Sequence, residues 1–288
     1  MAGRAEWAHP TMPEMIQHSI PGTGERIPVV GLGSWRTFDT NPDDARRHTL
    51  RGVLQAFAAA GRGMVDTSPM YGNAETALGE LLAETRLTGQ LFLATKVWAR
   101  GRSEGIRQMQ ESLRRLRVER LDLMQVHNLA DWRTHLETLR AWKAEGRVRY
   151  LGVSHYSESA YAEMMQAIET GDIDFVQVNY SIVSRAAEKH LLPFAAERGV
   201  GVIVNRPFEE NALFPRVHGR PLPAWAADID CTSWAQFFLK FVLSHPAVTC
   251  AIPATANPVH LRDNLGAAQG RLPDAAQRHR MTIHLRDL

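Results

Sequence analysis

Short β-branched and apolar runs alternate along this chain with longer stretches in which apolar residues return every three or four positions. The short runs are "VVGLG" at 29–33, "MVDTS" at 64–68, "LFLATK" at 91–96 and "LDLMQVH" at 121–127. Four more follow: "RVRYLGVS" at 147–154, "DFVQVNY" at 174–180, "VGVIVN" at 200–205 and "VTCAIP" at 248–253. Several are apolar almost throughout, the pattern of parallel strands covered on both faces. Between them the spacing predicts helices. One opens at Asn41 and Pro42, carries Leu50, Val53, Leu54 and Phe57 on one face, and stops at Gly61. Ser103 is expected to cap the next clear one, striped by Ile106, Met109, Leu113 and Leu116. Leu136, Leu139 and Trp142 stripe another that Gly146 ends, and further helices fit around 73–84, 157–169, 186–198, 233–244 and 258–268.

Eight strand-then-helix units predict an α/β fold, a (β/α)8 TIM barrel, as one domain over residues 1–288. The other arrangement, an open doubly wound sheet, lacks its dinucleotide fingerprint, because "GLGSW" at 31–35 has no third glycine. Ahead of the first strand, "IQHSIPGTGERIPVV" reads as a β-hairpin around Gly22 and Gly24 that plugs the barrel bottom. Residues 1–15 are expected to be a flexible N-terminus. Residues 206–232 form a long loop after the seventh barrel strand, and such loops are usually lids or walls.

Composition narrows the function. Hydrophobic residues make up 44% of 288, enough for a large core, and 33 basic against 31 acidic residues leave no field to attract nucleic acid or an anionic membrane. The two cysteines, Cys231 and Cys250, have no metal-ligand spacing and are expected to be free thiols in a reducing compartment. The first twenty residues lack an apolar signal core and no later run reaches membrane length, so a cytoplasmic protein is expected. Oligomeric state is not legible.

Barrel sites sit at the C-terminal ends of the strands. Reading only those ends yields Asp66 on the second, Tyr71 in the loop after it, Lys96 on the third and His127 on the fourth. These strands are neighbours, so four ionisable side chains converge. A phenol is a poor acid at neutral pH, and a nearby ammonium favours its ionised form. The ammonium in turn needs a carboxylate to stay charged in a dry pocket, and a neutral histidine can orient a substrate oxygen. Such a group suits reduction of a carbonyl, with Tyr71 protonating the oxygen as hydride reaches the carbon.

The motifs "VDTSPMYGNAE", "LATKVW", "LMQVH", "GVSHYS", "FVQVNYS" and "IPATANPVHLRDNL" occur in the order found in the aldo-keto reductases, and the chain resembles that family over roughly residues 16–270. The resemblance implies that Asp66, Tyr71, Lys96 and His127 form a catalytic tetrad using a nicotinamide cofactor bound without the Rossmann motif. It also implies that Ser154 and Gln177 hold the carboxamide, with Thr255 at a phosphate, Asp263 near a ribose and Asn264 at adenine. Departures come with it. His155 stands where the family usually has asparagine, and Asn205 where a tyrosine stacks on the nicotinamide, leaving Arg206 or Phe208 to cover the ring. Ala254 and His260 replace two cations used around the 2′-phosphate, although Arg262 lies in the same turn. The expectation is NADP(H) use with weakened selectivity over NAD(H). Trp35, Trp98 and Trp225, the last on the long loop, are expected to line the pocket for a small carbonyl compound. Two other functions stand beside this one: a low-turnover cofactor-binding regulatory subunit of the same fold, and a lyase or isomerase using Lys96 as a Schiff-base amine.

Overall fold

A computed structural model describes residues 15–288, so the expectation for residues 1–15 lies, apart from Met15, outside the described residues. An antiparallel hairpin, β1 (Gln17–Ser19) and β2 (Arg26–Pro28), comes first. Then strands and helices alternate: β3 (Leu32–Gly33), α1 (Arg46–Ala59), β4 (Met64–Asp66), α2 (Ala74–Thr85), β5 (Phe92–Val97), α3 (Arg102–Leu116), β6 (Leu121–His127) and α4 (Trp132–Ala144). The second half runs β7 (Val148–His155), α5 (Tyr161–Glu169), β8 (Phe175–Asn179), α6 (Leu191–Glu197) and β9 (Gly201–Asn205). After it come α7 (Leu213–Arg216), α8 (Trp234–Leu243), β10 (Val248–Ala251), α9 (Pro258–Gly266) and α10 (Ala275–Arg286).

The eight strands from β3 to β10 pair in parallel in chain order, and the bridges Val30–Ala251 and Gly33–Ala254 bring the last beside the first. This is the (β/α)8 barrel the alternation predicts. Closure explains "GLG": a Cβ on Gly31 would lie 2.7 Å from the Met64 carbonyl oxygen, and one on Gly33 2.8 Å from that of Ile252. The glycines serve a close approach of backbones, not a phosphate.

Inside the barrel, Met64, Phe92, Leu123, Tyr150, Phe175, Ile203 and Cys250 form one buried cluster with Ile20 and Ile27 of the hairpin. Met64, Phe92 and Phe175 each begin their strands, so the hairpin closes the N-terminal end. Each such side chain buried contributes about 1.5–3 kcal/mol. Because strand side chains alternate, further inward positions lie above these, towards the C-terminal ends. There the residues turn polar: Asp66, Lys96, Gln125, Ser154 and Gln177, all buried.

Several local expectations shift. Helix α1 begins at Arg46, because residues 41–44 make a turn in which the Asp44 carboxylate accepts the Arg46 N–H at 2.8 Å. Helix α3 is capped at Gly101, not Ser103, and the Gly101 N–H donates to Asp131 at 2.7 Å. Helix α10 has no sequence stripe, burying only Met281 and Leu285, yet starts with a full capping box between Asp274 and Gln277. Among the described residues no helix is long and apolar enough to cross a membrane.

Candidate active site

The strand ends and following loops enclose a cleft of about 270 Å³ lined by Trp35, Tyr71, His127, Ser154, His155, Gln177, Asn205, Arg206 and Phe208, with Asp66 at its floor. Register builds that floor. Lys96 pairs with Gln125 across β5 and β6, His127 with Ser154, and Ser154 with Gln177. The Lys96 Nζ, fully buried, donates to Asp66 Oδ2 at 2.5 Å and to the Thr67 carbonyl at 2.8 Å. The other carboxylate oxygen, Oδ1, accepts from Gln125 Nε2 and Gln177 Nε2, both at 2.9 Å. Asp66 is therefore the hub of a buried polar network rather than half of an isolated pair. Burial, the largest influence on Lys96, opposes its charge, but Asp66 and Tyr71 together hold the ammonium above its usual range. An amine so placed is a poor Schiff-base nucleophile.

Tyr71 is presented by the turn between β4 and α2. Gly72 has φ +61°, and a side chain there would collide with Asp39, whose carboxylate accepts the Asn73 N–H at 2.8 Å. The turn is thus pinned to the β3–α1 loop. The Tyr71 ring centroid lies 5.0 Å from Lys96 Nζ and 5.8 Å from the His127 ring, edge to face. Burial pushes the Tyr71 phenol above its ordinary value, and the Lys96 charge pulls it down without cancelling that effect. Lys96 acts in the direction foreseen from sequence, but desolvation outweighs it. Burial first, then the charges of Lys96 and His155, push His127 down to about 2, so its ring stays neutral. Its Nδ1 pairs with Ser68 Oγ at 2.9 Å, which leaves Nε2 as the free ring nitrogen.

Higher in the cleft, Ser154 Oγ and Asn205 Oδ1 are buried without a hydrogen-bond partner, and Asn205 Nδ2 reaches Gln177 Oε1 at 3.5 Å. Orphaned donors and acceptors side by side are the complement of a ligand amide. His155 stacks on Tyr156, and its Nδ1 accepts the Ser157 N–H at 3.0 Å. Phe208 packs on Phe214. Glu210 joins two loops across the mouth, meeting Arg36 and Arg206 at 3.2 Å each.

Some expected residues lie elsewhere. Thr255, His260, Asp263 and Asn264 sit on the loop after β10 and on α9, outside the cleft lining. Thr255 and Asn264 are buried, His260 and Arg262 exposed, and Asp263 already accepts from Gln236 Nε2 at 2.9 Å. Trp98 is nearly half exposed beyond β5 and does not line the cleft. Trp225 is not a pocket wall. The long loop folds it against Phe237, His284 and Arg280, where the apolar surface of α8 and α10 offers a large ring more contact than the cleft mouth. Sequence reading missed Gln125, Ser68 and Glu210. Gln125 alone had a signal, standing two residues before His127 on the same strand face.

Comparison with known proteins agrees with this architecture. The sequence model of the aldo/keto reductase family matches residues 29–279. The methylglyoxal reductase YeaE of Escherichia coli (strain K12) is 31% identical over 274 residues, 91% of this chain and 93% of that protein. An NADH-specific methylglyoxal reductase of the same organism is 28% identical over 219 residues, 64% of each chain. An aldo-keto reductase from Klebsiella pneumoniae, solved in complex with NADPH, superposes with a TM-score of 0.79 at 27% identity, covering 94% of this chain and 96% of its own.

Proposed function

The chain belongs to the aldo/keto reductase family, and on that premise we propose that it reduces small aldehydes or ketones to alcohols with a nicotinamide dinucleotide. The observation that carries the proposal is the meeting of Tyr71 and neutral His127 above the buried Lys96–Asp66 pair in one cleft. The cofactor, when bound, supplies hydride to the carbonyl carbon. Tyr71 then donates its proton to the oxygen that gains charge, while His127 Nε2–H, with Nδ1 held by Ser68, orients the same oxygen. Ser154, Asn205 and Gln177 are the groups that suit the carboxamide, because the first two carry orphaned polar atoms. Phe208 is the wall available to the ring, because the Arg206 guanidinium already faces Tyr156 and Trp35, and His155 stands beside Ser154.

The substrate class is supported by the E. coli relative, a methylglyoxal reductase. A low-turnover binding subunit would have no use for so complete a proton-delivery group. A panel of carbonyl compounds, followed by cofactor absorbance with NADPH and with NADH, tests the proposal; absence of multiple turnover on every reactive aldehyde would defeat it.

The same titrations determine whether NADPH is favoured. Thr255 and Asn264 are proposed for the phosphate and adenine, Asp263 for the ribose, with His260 and Arg262 as the exposed groups near a 2′-phosphate. Without fixed cations at Ala254 and His260, preference for NADPH over NADH is expected to stay below about 100-fold, given roughly 1.5–3 kcal/mol per charge-assisted bond. Equal or better efficiency with NADH would refute the preference.

The pH profile follows from the two titrating groups. His127 stays neutral down to about 2, and the Tyr71 phenol is held above its ordinary value, so the acid form persists through neutrality. Reduction is expected to be flat from about pH 5 through pH 9 and to fall only above the ordinary tyrosine value of about 10, as Tyr71 ionises. The reverse oxidation needs the phenolate and should rise with pH over the same range. An inflection in reduction near the ordinary histidine range would contradict this assignment.

A further inference from the structure

We infer that the carbonyl compound taken by this cleft carries a carboxylate, and that the guanidinium of Arg206 receives it. The inference rests on the reductase reading above and adds the substrate's charge. Among the charged residues lining the cleft, Asp66 is committed to Lys96, Gln125 and Gln177. That leaves Arg36 and Arg206 against one carboxylate, Glu210, which both arginines share at 3.2 Å. The mouth therefore carries one uncompensated positive charge. The Tyr71 hydroxyl, the free His127 nitrogen and the guanidinium all offer donors to it. A ligand rich in acceptors is the complement.

Arg206 is also held in place for this role. Its backbone is left-handed, φ +50°, at the point where β9 ends. The guanidinium carbon lies 4.3 Å from the Tyr156 ring centroid and 5.5 Å from that of Trp35. Two aromatic faces and one carboxylate fix the plane, so little side-chain freedom remains to be lost on forming a paired bond to a second carboxylate. Its Nη1 lies 3.2 Å from Glu210 Oε1, and the side chain keeps 30% of its surface open. Tyr71 and Arg206 both line this cleft, so an oxo acid offers its carbonyl to the proton donor and its carboxylate to the cation.

An anion here has two possible sources, the substrate carboxylate or the pyrophosphate of a dinucleotide, and the test separates them. Glyoxylate and 4-formylbenzoate are compared with their methyl esters as substrates of the intact protein with NADPH. NADPH affinity is measured in parallel by fluorescence quenching. The acids are expected to exceed their esters in kcat/KM by about tenfold or more. Arg206→Met should collapse that acid-to-ester ratio, and Glu210→Gln, which releases the guanidinium, should raise it several-fold. Esters reduced as well as acids by the unmodified protein would overturn the inference while leaving the reductase reading intact. So would an Arg206→Met protein that binds NADPH weakly but keeps the acid-to-ester ratio, which would assign the cation to the pyrophosphate. If NADPH binds and neither acids nor esters are reduced, the reductase reading itself fails.

Discussion

Replacing Tyr71 by Phe is expected to lower kcat for carbonyl reduction by about 10²–10⁴-fold, the usual contribution of a positioned general acid. The substitution removes one oxygen and keeps the ring that packs edge-on to His127 and lies beside Lys96. Folding and cofactor affinity should therefore change little, and the loss should appear in kcat rather than KM. Its pH signature is the sharper check: whatever rate remains should no longer fall as pH rises past about 10, because the titrating phenol is gone. A Tyr71→Phe protein with full activity would show that the proton comes from elsewhere.

The second large effect is on stability as well as rate. Lys96→Met leaves Asp66 buried with its charge facing only Gln125 and Gln177. Breaking a buried pair from one side costs about 3–5 kcal/mol, readable as a lower midpoint in urea. Adding Asp66→Asn removes the stranded charge and should restore most of the lost stability, while activity stays absent. If the double variant were no more stable than Lys96→Met, the cost would lie in packing of the lysine stem rather than in the charge.

Both effects turn on residues legible before any coordinates. Asp66, Lys96 and His127 stand at or beside strand ends that the apolar runs locate, with Tyr71 in the loop after the first, and neighbouring strands in a barrel bring such ends together. Strand and helix periodicity is written locally, residue by residue, so the barrel and its plugging hairpin could be read from it. Boundaries were less legible where a partner distant in sequence decides them. The Gly101 N–H at the start of α3 is taken by Asp131, thirty residues further along the chain.

What the sequence by itself determined, then, is the order of strands, the closed barrel and three ionisable side chains at adjacent strand ends with a tyrosine in the loop beside them. What only the tertiary structure decided is how those groups are loaded. Register puts Gln125 and Gln177 on the same oxygen of Asp66. Burial outweighs Lys96 in setting the direction in which Tyr71 is displaced. The long loop draws Trp225 to the α8–α10 surface and leaves Arg206 and Glu210 at the cleft. The physical reason is common to all three. Periodicity and capping are properties of neighbours in sequence, whereas dielectric, hydrogen-bond competition and the destination of a loop aromatic depend on which distant segments share a volume, and curvature and register of the closed sheet determine that.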